Sequence, residues 1–487
     1  MDDAAATAPD EAGAQHRLRP ADLGRVHFIG LGGAGMSAVA RILLGRGTAV
    51  SGSDAKDSAA LRALAALGAE THVGHDAAHL GQADTVVIST AIRPDNPELA
   101  AARRAGLRIL HRSVALAAAM EDSRLVAVAG THGKTTTTAM TTVLLRSAGL
   151  DPSFAIGGDV SGLGVNAACG GGEVFVAEAD ESDGSFLNYR PSVTVVTNVE
   201  ADHLDHYGTA EAVYASFDRF VELLPADGLL VACADDPGAA DLVRRSNAPA
   251  VLTYGYAADA DVRILDTVAE GSGTVSTLSY TRDGRSGQCT LRLQVPGRHN
   301  VANATAAFAV GLHLGVAPEA AAAGLAGFSG AARRFEPRGE AAGVRVFDDY
   351  AHHPTELDAA LRAARTVAGE HRVHVLFQPH LFSRTRNFAA EFAAALGLGD
   401  SATVLDIYPA REDPIEGVTS ELITSRLQVP GGYVPDAAGA VRSVAARAEP
   451  GDIILTVGAG DVTRLGPELV AELAAKAAPA APTDHGR

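Results

Sequence analysis

Lysine is nearly absent from this chain. Lys56, Lys134 and Lys476 are the only lysines among 487 residues, so arginine supplies almost all of the positive charge. A chain that otherwise relies on arginine nevertheless keeps Lys134 directly after a glycine-rich turn. We therefore interpret Lys134 as a residue with a specific task.

Cysteine is equally scarce. Cys169, Cys233 and Cys289 are odd in number, widely separated and without the spacing of a metal site. Such a set favours a reducing compartment, in which thiols pack as small buried side chains. It gives no indication of a disulfide framework.

The chain also lacks long apolar runs and an excess of positive charge. No uninterrupted apolar run approaches the roughly 20 residues that a membrane helix needs. The first residues are acidic and alanine-rich, without the basic and apolar regions of a signal peptide. A formal net charge of −18 would repel phosphate backbones and anionic lipids. We expect a cytoplasmic protein that binds no nucleic acid and inserts into no membrane.

The length of the chain predicts several domains, because 487 residues exceed the size at which one core keeps growing. Apolar segments alternate with alanine- and leucine-rich helical stretches, which predicts parallel sheets covered by helices. We predict three α/β domains in series. The predicted divisions are a disordered tail (1–24), three domains (25–122, 123–330 and 331–476) and a second tail (477–487).

Individual strands and helices can be placed from the apolar pattern. Strands are predicted in the first domain at 26–30, 49–52, 84–89 and 108–110, in the second at 125–129, 174–177 and 193–197, and in the third at 344–347, 373–377, 402–405 and 453–457. Helices of the second domain are predicted at 136–148, 211–224 and 301–314. Short alternating segments at 261–295, with a turn at Asp283-Gly284, predict added antiparallel strands. The glycine- and alanine-rich stretch 324–332 is a candidate hinge.

A glycine-rich turn follows the first predicted strand. Gly30, Gly32, Gly33 and Gly35 precede a helix, and Asp54 ends the second strand 24 residues after Gly30. The pattern is typical of a dinucleotide site, in which a diphosphate lies on a helix N-terminus and a carboxylate binds a ribose hydroxyl. A UDP-sugar carries the same two groups. A nicotinamide dinucleotide and a turn needed only for packing remain alternatives to a UDP-linked substrate.

A second glycine-rich loop joins a buried strand to an apolar helix. Its residues are Gly130, Thr131, His132, Gly133, Lys134, Thr135 and Thr136. In such a loop the backbone amides cradle phosphates, the lysine neutralises the β and γ groups and a threonine hydroxyl reaches Mg²⁺. Val128 stands where the full Walker pattern has glycine, so this is a variant P-loop. We predict an ATP site with Mg²⁺.

Two acidic segments, 178–183 and 198–205, come directly after predicted strands. The carboxyl ends of parallel strands open onto the site of a doubly wound sheet. Crowded carboxylates are costly unless a cation offsets their charge. Solvated acidic loops are the alternative, but the neighbouring phosphate loop favours a metal site.

Further polar clusters follow in the second half of the chain. His299, Asn300 and Asn303 open a predicted helix, where an amide can pair with an adenine edge and an imidazole can stack on its face; Asn300 could instead cap the helix. Arg333, Arg334, Asp348, Asp349, Tyr350, His352, His353, Glu356, His380 and Arg384 lie near predicted strand ends or the hinge. Two histidines beside two aspartates also suggest zinc. The surrounding arginines favour clamping of phosphate and carboxylate groups instead.

Taken in order, these segments resemble the Mur ligase family, and within it the members that add L-alanine. The resemblance covers the segments 27–37, 130–136, 178–183, 198–203, 299–303, 333–335, 348–356 and 377–385. It implies a Rossmann-like N-terminal domain that holds UDP-N-acetylmuramate, a central P-loop ATPase domain and a Rossmann-like C-terminal domain. The implied reaction uses ATP and Mg²⁺ to join L-alanine to the lactyl carboxylate through an acyl phosphate. A monomer or homodimer is expected.

The same resemblance assigns roles to single residues. It implies that Thr135, Glu178 and His203 bind the metal, that His299, Asn300 and Asn303 hold adenine, and that Arg334 and Asp349 contact the rest of ATP. Tyr350, His352, His380 and Arg384 would line the L-alanine pocket, with Arg384 on the carboxylate. Lys134, His352, His380 and Arg384 are the expected catalytic set, in which a neutral histidine takes a proton from the attacking amine.

Three features of the sequence qualify this resemblance or separate the chain from related ligases. Leu381 and Phe382 stand where the family usually has an Arg-Tyr pair. No lysine lies between Lys134 and Lys476, which argues against the carbamylated lysine that some related ligases use as a metal ligand. The first turn lacks the Cys-Gly-Thr pattern expected of the related enzyme that attaches a ready-made tripeptide. Addition of a single amino acid is therefore favoured.

Overall fold

The computed structural model describes residues 18–477, apart from 159, 161, 283 and 411. It contains three sheets, of five, ten and six strands, each flanked by helices. The α/β class and the three-domain architecture predicted from the sequence are confirmed. Within the described residues, no helix is long and apolar enough to cross a membrane.

The first sheet is entirely parallel, with the strand order β3-β2-β1-β4-β5. Its elements are β1 (Val26–Ile29), α1 (Ala34–Gly45), β2 (Val50–Asp54), α2 (Ala59–Ala66), β3 (Glu70–Val73), β4 (Thr85–Ile88), α3 (Pro97–Arg104), β5 (Arg108–His111) and α4 (Arg112–Met120). The order reverses at β1, so the glycine-rich turn after β1 lies at the switch point where doubly wound sheets bind ligands. β3 was not predicted, because its residues are partly exposed and mostly polar.

The prediction of a disordered tail over residues 1–24 is wrong at the C-terminal end of that range. Pro20–Leu23 forms a 3-10 helix, Leu23 is fully buried, and Thr85 Oγ1 donates a hydrogen bond of 2.7 Å to the Leu23 carbonyl. The apolar Leu23 side chain fixes this segment against the first sheet, because its burial removes apolar surface from water. The rest of that predicted tail, 1–17, and residues 478–487 of the second tail lie outside the described residues.

The central sheet combines parallel and antiparallel strands in the order β15-β14-β13-β12-β11-β10-β6-β9-β7-β8. Its elements are β6 (Arg124–Ala129), α5 (Lys134–Ser147), β7 (Ser153–Ala155), β8 (Ala167–Ala168), β9 (Val174–Glu178), β10 (Val193–Val196), α6 (Leu204–Tyr207), α7 (Ala210–Val221), β11 (Leu229–Cys233), α8 (Pro237–Arg245), β12 (Val251–Gly255), β13 (Val262–Glu270), β14 (Gly273–Arg282), β15 (Arg285–Leu293), α9 (Arg298–His313) and α10 (Pro318–Ala326). β11 and β12 were not predicted, because periodicity alone does not distinguish a short apolar strand from a piece of buried helix.

The added antiparallel strands are present as β13, β14 and β15. β14 and β15 form a hairpin in which Arg282 pairs with Arg285, so the expected turn joins them, although Asp283 itself lies outside the described residues. The candidate hinge is partly wrong, because residues 324–326 end α10. Directly after the predicted hinge, and before the third sheet begins, Arg333 and Phe335 have left-handed backbone conformations.

The third sheet has the order β16-β17-β21-β18-β19-β20, and only the β16–β17 pair is antiparallel. Its elements are β16 (Glu336–Ala341), β17 (Val344–Asp349), α11 (Pro354–Ala368), β18 (Val373–Phe377), α12 (Phe382–Asn387), α13 (Ala389–Leu396), β19 (Ser401–Val404), α14 (Glu421–Thr424), β20 (Gly431–Tyr433), α15 (Ala437–Arg447), β21 (Ile453–Val457) and α16 (Leu465–Ala477). The strands predicted at 373–377 and 453–457 match the observed strands to the residue.

The apolar cores show how the domains are joined. One continuous cluster of buried side chains runs through the first two domains, from Leu23 to Ala331. The third domain has its own clusters on the two faces of its sheet, one with α11 and α13 and one with α15 and α16. The third domain therefore meets the central domain mainly through polar residues, and those residues line the candidate site.

Candidate active site

The candidate site lies between the carboxyl ends of β6, β9 and β10 and the third domain. Two cavities of about 350 Å³ and 600 Å³ meet there. His132, Gly133, Arg334 and Glu356 line both cavities, so the phosphate loop and the third domain form their common wall. Volumes of this size are typical of small-molecule sites.

The phosphate loop has the backbone shape that its glycines predict. Gly130 has φ +136° and Gly133 has φ +82°, both in the region that favours glycine. A Cβ on Gly130 would lie 2.0 Å from Thr197 Oγ1. α5 begins at Lys134, so the loop presents the positive end of the helix dipole to a bound anion.

Lys134 is held inside this loop by oxygen atoms. Its Nζ donates to the Gly130 carbonyl at 2.7 Å, the Thr131 carbonyl at 3.2 Å and Glu181 Oε1 at 2.9 Å. Burial lowers the pKa of Lys134, but the nearby carboxylates, Glu181 foremost, outweigh it, so the pKa is raised overall. The ammonium group therefore stays charged and available to phosphate.

Two of the predicted metal ligands are in contact. Thr135 Oγ1 donates to Glu178 Oε1 at 3.1 Å, and Glu178 Oε2 accepts a hydrogen bond of 2.7 Å from the Gly157 amide. His203, in left-handed backbone, lies in the same cavity, with Nε2 3.7 Å from Glu181 Oε1. The three predicted ligands thus line one cavity around Lys134.

Glu181 was missed as a site residue, although it belongs to the acidic segment after β9. It is 1% exposed, and its Oε2 has no hydrogen-bond partner among the described residues. Burial raises its pKa to about 7, although Lys134 opposes this. A buried carboxylate oxygen without a partner is costly, and a cation bound near Lys134 and His203, which both line the larger cavity, would offset that cost. The residues present therefore fit a bound Mg²⁺.

The smaller cavity contains the predicted adenine residues. Burial, together with Arg334, lowers the pKa of His299 to about 4, so its ring is neutral and suited to stacking. α9 begins at Arg298 after Gly297, so Asn300 is not its cap; the Asn300 amide instead donates to the Pro296 carbonyl at 2.7 Å. The alternative of a simple helix cap is therefore wrong.

An aromatic wall of this cavity was also missed. The Arg298 guanidinium lies over the Tyr256 ring, 3.7 Å from its centroid, and both side chains line the cavity. Such a stacked pair offers a flat, partly apolar surface to a purine. Tyr256 follows β12, a strand that was not predicted, so no local signal drew attention to it.

The two aspartates at the end of β17 have different surroundings. Asp349 accepts backbone hydrogen bonds from Phe335 and Ala351, both at 2.8 Å, and lines the smaller cavity. Burial raises its pKa to about 6, against the effect of Arg334. Asp348 is fully buried and is bound by Arg333 at 3.1 Å, as well as by Arg338, Thr456 and Thr463. In the described chain these aspartates do not gather with His352 and His353, so the zinc site suggested for this group is not formed.

The aromatic residues expected around L-alanine form a chain of ring contacts. The ring centroids are 5.2 Å apart for Tyr350 and His352, 5.7 Å for His352 and His380, and 5.8 Å for His380 and Tyr408. Burial lowers the pKa of His352 to about 4, although Glu356 opposes this. His352 is therefore neutral near pH 7, as acceptance of a proton requires. Tyr408, which stacks on His380, was not predicted.

Arg384 joins two domains through an ion pair with Asp202, and both residues line a further cavity of about 260 Å³. Its Nη2 is 2.9 Å from Asp202 Oδ1 and 3.0 Å from Asp202 Oδ2, and both side chains are buried. Burial raises the pKa of Asp202, but Arg384 outweighs it and holds the pKa far below its usual range. The contact of Arg384 with an amino-acid carboxylate stays a prediction.

In the first domain, Asp54 at the end of β2 makes a hydrogen bond to the glycine-rich turn. The Gly32 amide donates to Asp54 Oδ2 at 2.8 Å, so Asp54 supports the turn directly. A Cβ on Gly35 would lie 2.7 Å from Arg112 Nη1, and Gly35 and Arg112 both line the larger cavity. Arg112, at the start of α4, was missed because it is far from the turn in sequence. It adds a positive charge beside the predicted diphosphate position.

Three models of the Mur ligase family match this chain. The Mur ligase family catalytic domain matches residues 25–124, the Mur ligase middle domain 128–311, and the Mur ligase glutamate ligase domain 333–460. The three matches follow one another in the order of the three sheets.

Relatives of known name cover nearly the whole chain. The UDP-N-acetylmuramate–L-alanine ligase of Renibacterium salmoninarum is 62% identical over 96% of this chain and 98% of its own. The UDP-N-acetylmuramate–L-alanine ligase of Paenarthrobacter aurescens is 64% identical over 93% of this chain and 97% of its own. The crystal structure of the UDP-N-acetylmuramate-alanine ligase from Thermotoga maritima has a TM-score of 0.75 at 28% identity, covering 93% of this chain and 99% of its own. By family models, sequence and fold together, the chain belongs to the Mur ligase family.

Proposed function

We propose that this protein is the ATP-dependent ligase that joins L-alanine to the lactyl carboxylate of UDP-N-acetylmuramate, in the synthesis of peptidoglycan precursors in the cytoplasm. The observation that carries the proposal is the identity of 62–65% with L-alanine-adding ligases over at least 93% of the chain. The site chemistry agrees, because a phosphate loop, a carboxylate-rich cavity and a neutral histidine lie within one cleft.

The first step requires ATP, because a carboxylate is a poor electrophile until it takes the γ-phosphate. The loop amides and Lys134 bind the phosphate groups, and Arg334 approaches them from the third domain. Mg²⁺, held by Thr135, Glu178 and His203, would neutralise phosphate charge there. When phosphate enters, we expect Lys134 to exchange its contacts with the Gly130 and Thr131 carbonyls for phosphate oxygens.

The nucleotide base occupies the smaller cavity in this proposal. His299, neutral because its pKa is lowered, offers its ring face, while Asn303 lies beside the loop at Gly133. Tyr256 and Arg298 form a second flat surface of the same cavity. Asp349 connects this cavity to the third domain, so ATP binding draws the two domains together.

In the second step the alanine amine attacks the carbonyl carbon of the acyl phosphate, which forms the amide bond and expels inorganic phosphate. The amine attacks only after losing its proton, and His352 is a buried, neutral imidazole that can accept one. His380 lies next to it and extends the same ring contacts to Tyr408. Tyr350 and Arg384 complete the proposed L-alanine pocket.

The test is phosphate release from ATP in the presence of Mg²⁺ and UDP-N-acetylmuramate, with single amino acids or the tripeptide L-alanyl-γ-D-glutamyl-meso-diaminopimelate supplied in turn. We expect release only when UDP-N-acetylmuramate and L-alanine are both present, with formation of the UDP-N-acetylmuramoyl-L-alanine product. Dependence on the tripeptide, or release that ignores UDP-N-acetylmuramate, would overturn the proposal. His352→Ala and His380→Ala at saturating alanine separate the two candidate proton acceptors.

A further inference from the structure

A group of three potential metal ligands lies where the phosphate loop meets the third domain. His132 Nε2 is 3.5 Å from Glu200 Oε2, and His353 Nδ1 is 3.7 Å from the same oxygen. One ligand atom from each of the three residues lies within 4.8 Å of those from the other two. In the part of the chain that the structure describes, no other set of three histidine, cysteine, aspartate or glutamate residues meets that condition.

Two of the three separations are close to those of a tetrahedral zinc site. A tetrahedral zinc ion with bonds of about 2.1 Å holds neighbouring ligand atoms about 3.4 Å apart. The two measured separations from Glu200 exceed this value only slightly. Two imidazoles and one carboxylate, with the fourth position open, are also a ligand set that zinc uses in proteins. Mg²⁺ prefers oxygen ligands, so this group differs in chemistry from the predicted magnesium site.

Neighbouring groups hold the three ligands in place. His132 Nδ1 lies 3.2 Å from Glu356 Oε1, which is the arrangement of a carboxylate behind a metal-binding histidine. Thr355 Oγ1 donates to Glu200 Oε2 at 2.9 Å. His132 Nε2 is buried and makes no hydrogen bond within the described residues, whereas His353 Nδ1 accepts only a long bond of 3.4 Å from the Thr355 amide. A metal ion at Nε2 would replace the proton that His132 carries, because burial is outweighed by Glu356 and Glu200, which together raise the pKa of His132 to about 9.

We propose that His132, Glu200 and His353 form a binding site for a transition-metal ion, zinc in preference to magnesium, which joins the central and third domains. His132 and Glu200 belong to the central domain, and His353 precedes α11 of the third domain. A bound ion therefore holds the two domains in the arrangement seen in this structure. Where product release requires these domains to move apart, saturating zinc slows turnover.

The test measures metal binding directly, apart from catalysis. Full-length protein is first treated with a chelator and then titrated with Zn²⁺ in the presence of excess Mg²⁺. Calorimetry measures the binding, and metal analysis after desalting measures the zinc content. Every variant carries Cys169→Ser, because Cys169 is an exposed thiol that could bind zinc by itself. Glu200→Gln keeps an acceptor for Thr355, and His353→Asn keeps a good helix-capping residue. His371→Asn removes an exposed histidine elsewhere and serves as the matched control.

We expect one zinc ion per chain, bound at least about tenfold more weakly in Glu200→Gln and in His353→Asn but unchanged in His371→Asn. Co²⁺ bound to the control protein should show the visible absorption of a four-coordinate ion, and both ligand variants should lose it. Equal affinity in all proteins, or no binding under excess Mg²⁺, would overturn the proposal. Circular dichroism identifies any variant that fails to fold. If one ligand variant does not fold, the zinc affinity of the other ligand variant tests the proposal.

Discussion

The buried ion pair between Asp202 and Arg384 connects the central and third domains, and its loss should lower activity strongly. Asp202→Asn is the cleanest perturbation. Asp202 Oδ1 also accepts a hydrogen bond of 2.8 Å from the His203 amide, and asparagine keeps that acceptor while it removes the charge. The guanidinium of Arg384, 6% exposed, then stays buried but loses its carboxylate partner.

The size of the effect follows from that burial. Removing one partner of a buried ion pair costs about 3–5 kcal/mol, because the remaining charge stays desolvated. If closure of the third domain accompanies catalysis, the cost falls on the closed state. Since about 1.4 kcal/mol corresponds to a factor of ten, kcat/KM for ATP should fall about 100-fold or more.

A double-mutant cycle measures the interaction itself. The proteins are Asp202→Asn, Arg384→Gln and the double variant, with kcat/KM from coupled phosphate release. We expect a coupling energy of about 2 kcal/mol or more, because the double variant leaves no unpaired charge. The exposed helix pair Asp358–Arg362, treated in the same way, serves as control and should show about 0.5 kcal/mol or less. Additive losses for Asp202 and Arg384 would refute the reasoning.

Three further expectations concern single residues. Lys134→Ala should abolish phosphate release while circular dichroism still shows a folded protein, since Lys134 is the cation of the phosphate loop. Gly130→Ala should abolish ATP binding in calorimetry, because the added Cβ would lie 2.0 Å from Thr197 Oγ1 and the backbone has φ +136°. Glu98 is fully buried; burial raises its pKa, but hydrogen bonds from histidine and serine neighbours outweigh this and lower it to about 2. A carboxylate with a lowered pKa stabilises the fold above its ordinary pKa of 4.5 and loses this contribution as the pH falls towards 2. Glu98→Gln should therefore cost about 3 kcal/mol at pH 7, and its thermal midpoint should approach that of the parent as the pH drops below 4; a constant difference would contradict this.

Prediction from sequence succeeded where a local pattern carries the physics. The strand, glycine loop and helix around Lys134 are consecutive, so their order alone indicates a phosphate site. The same holds for apolar strands such as β18 and β21, whose bounds were predicted to the residue. Polar or partly exposed strands, such as β3 and β16, lack this contrast and were missed.

Residues that act through distant partners gave no such signal. Arg112 meets Gly35, and Tyr256 meets Arg298, only because the strand order of their sheets places them together. Glu181 lies in a segment that was singled out, yet its burial and its unpartnered oxygen distinguish it only in the folded chain.

The amino-acid sequence by itself determined the three-domain α/β architecture, the phosphate loop and the family, because these depend on the order of residues along the chain. Tertiary structure decided which charges meet. Arg384 and Asp202 are 182 residues apart in the chain but share two contacts of 3.0 Å or less, and His132, Glu200 and His353 converge from two domains. The physical reason is that ion pairing and metal binding depend on distance and burial, which only the packed domains define.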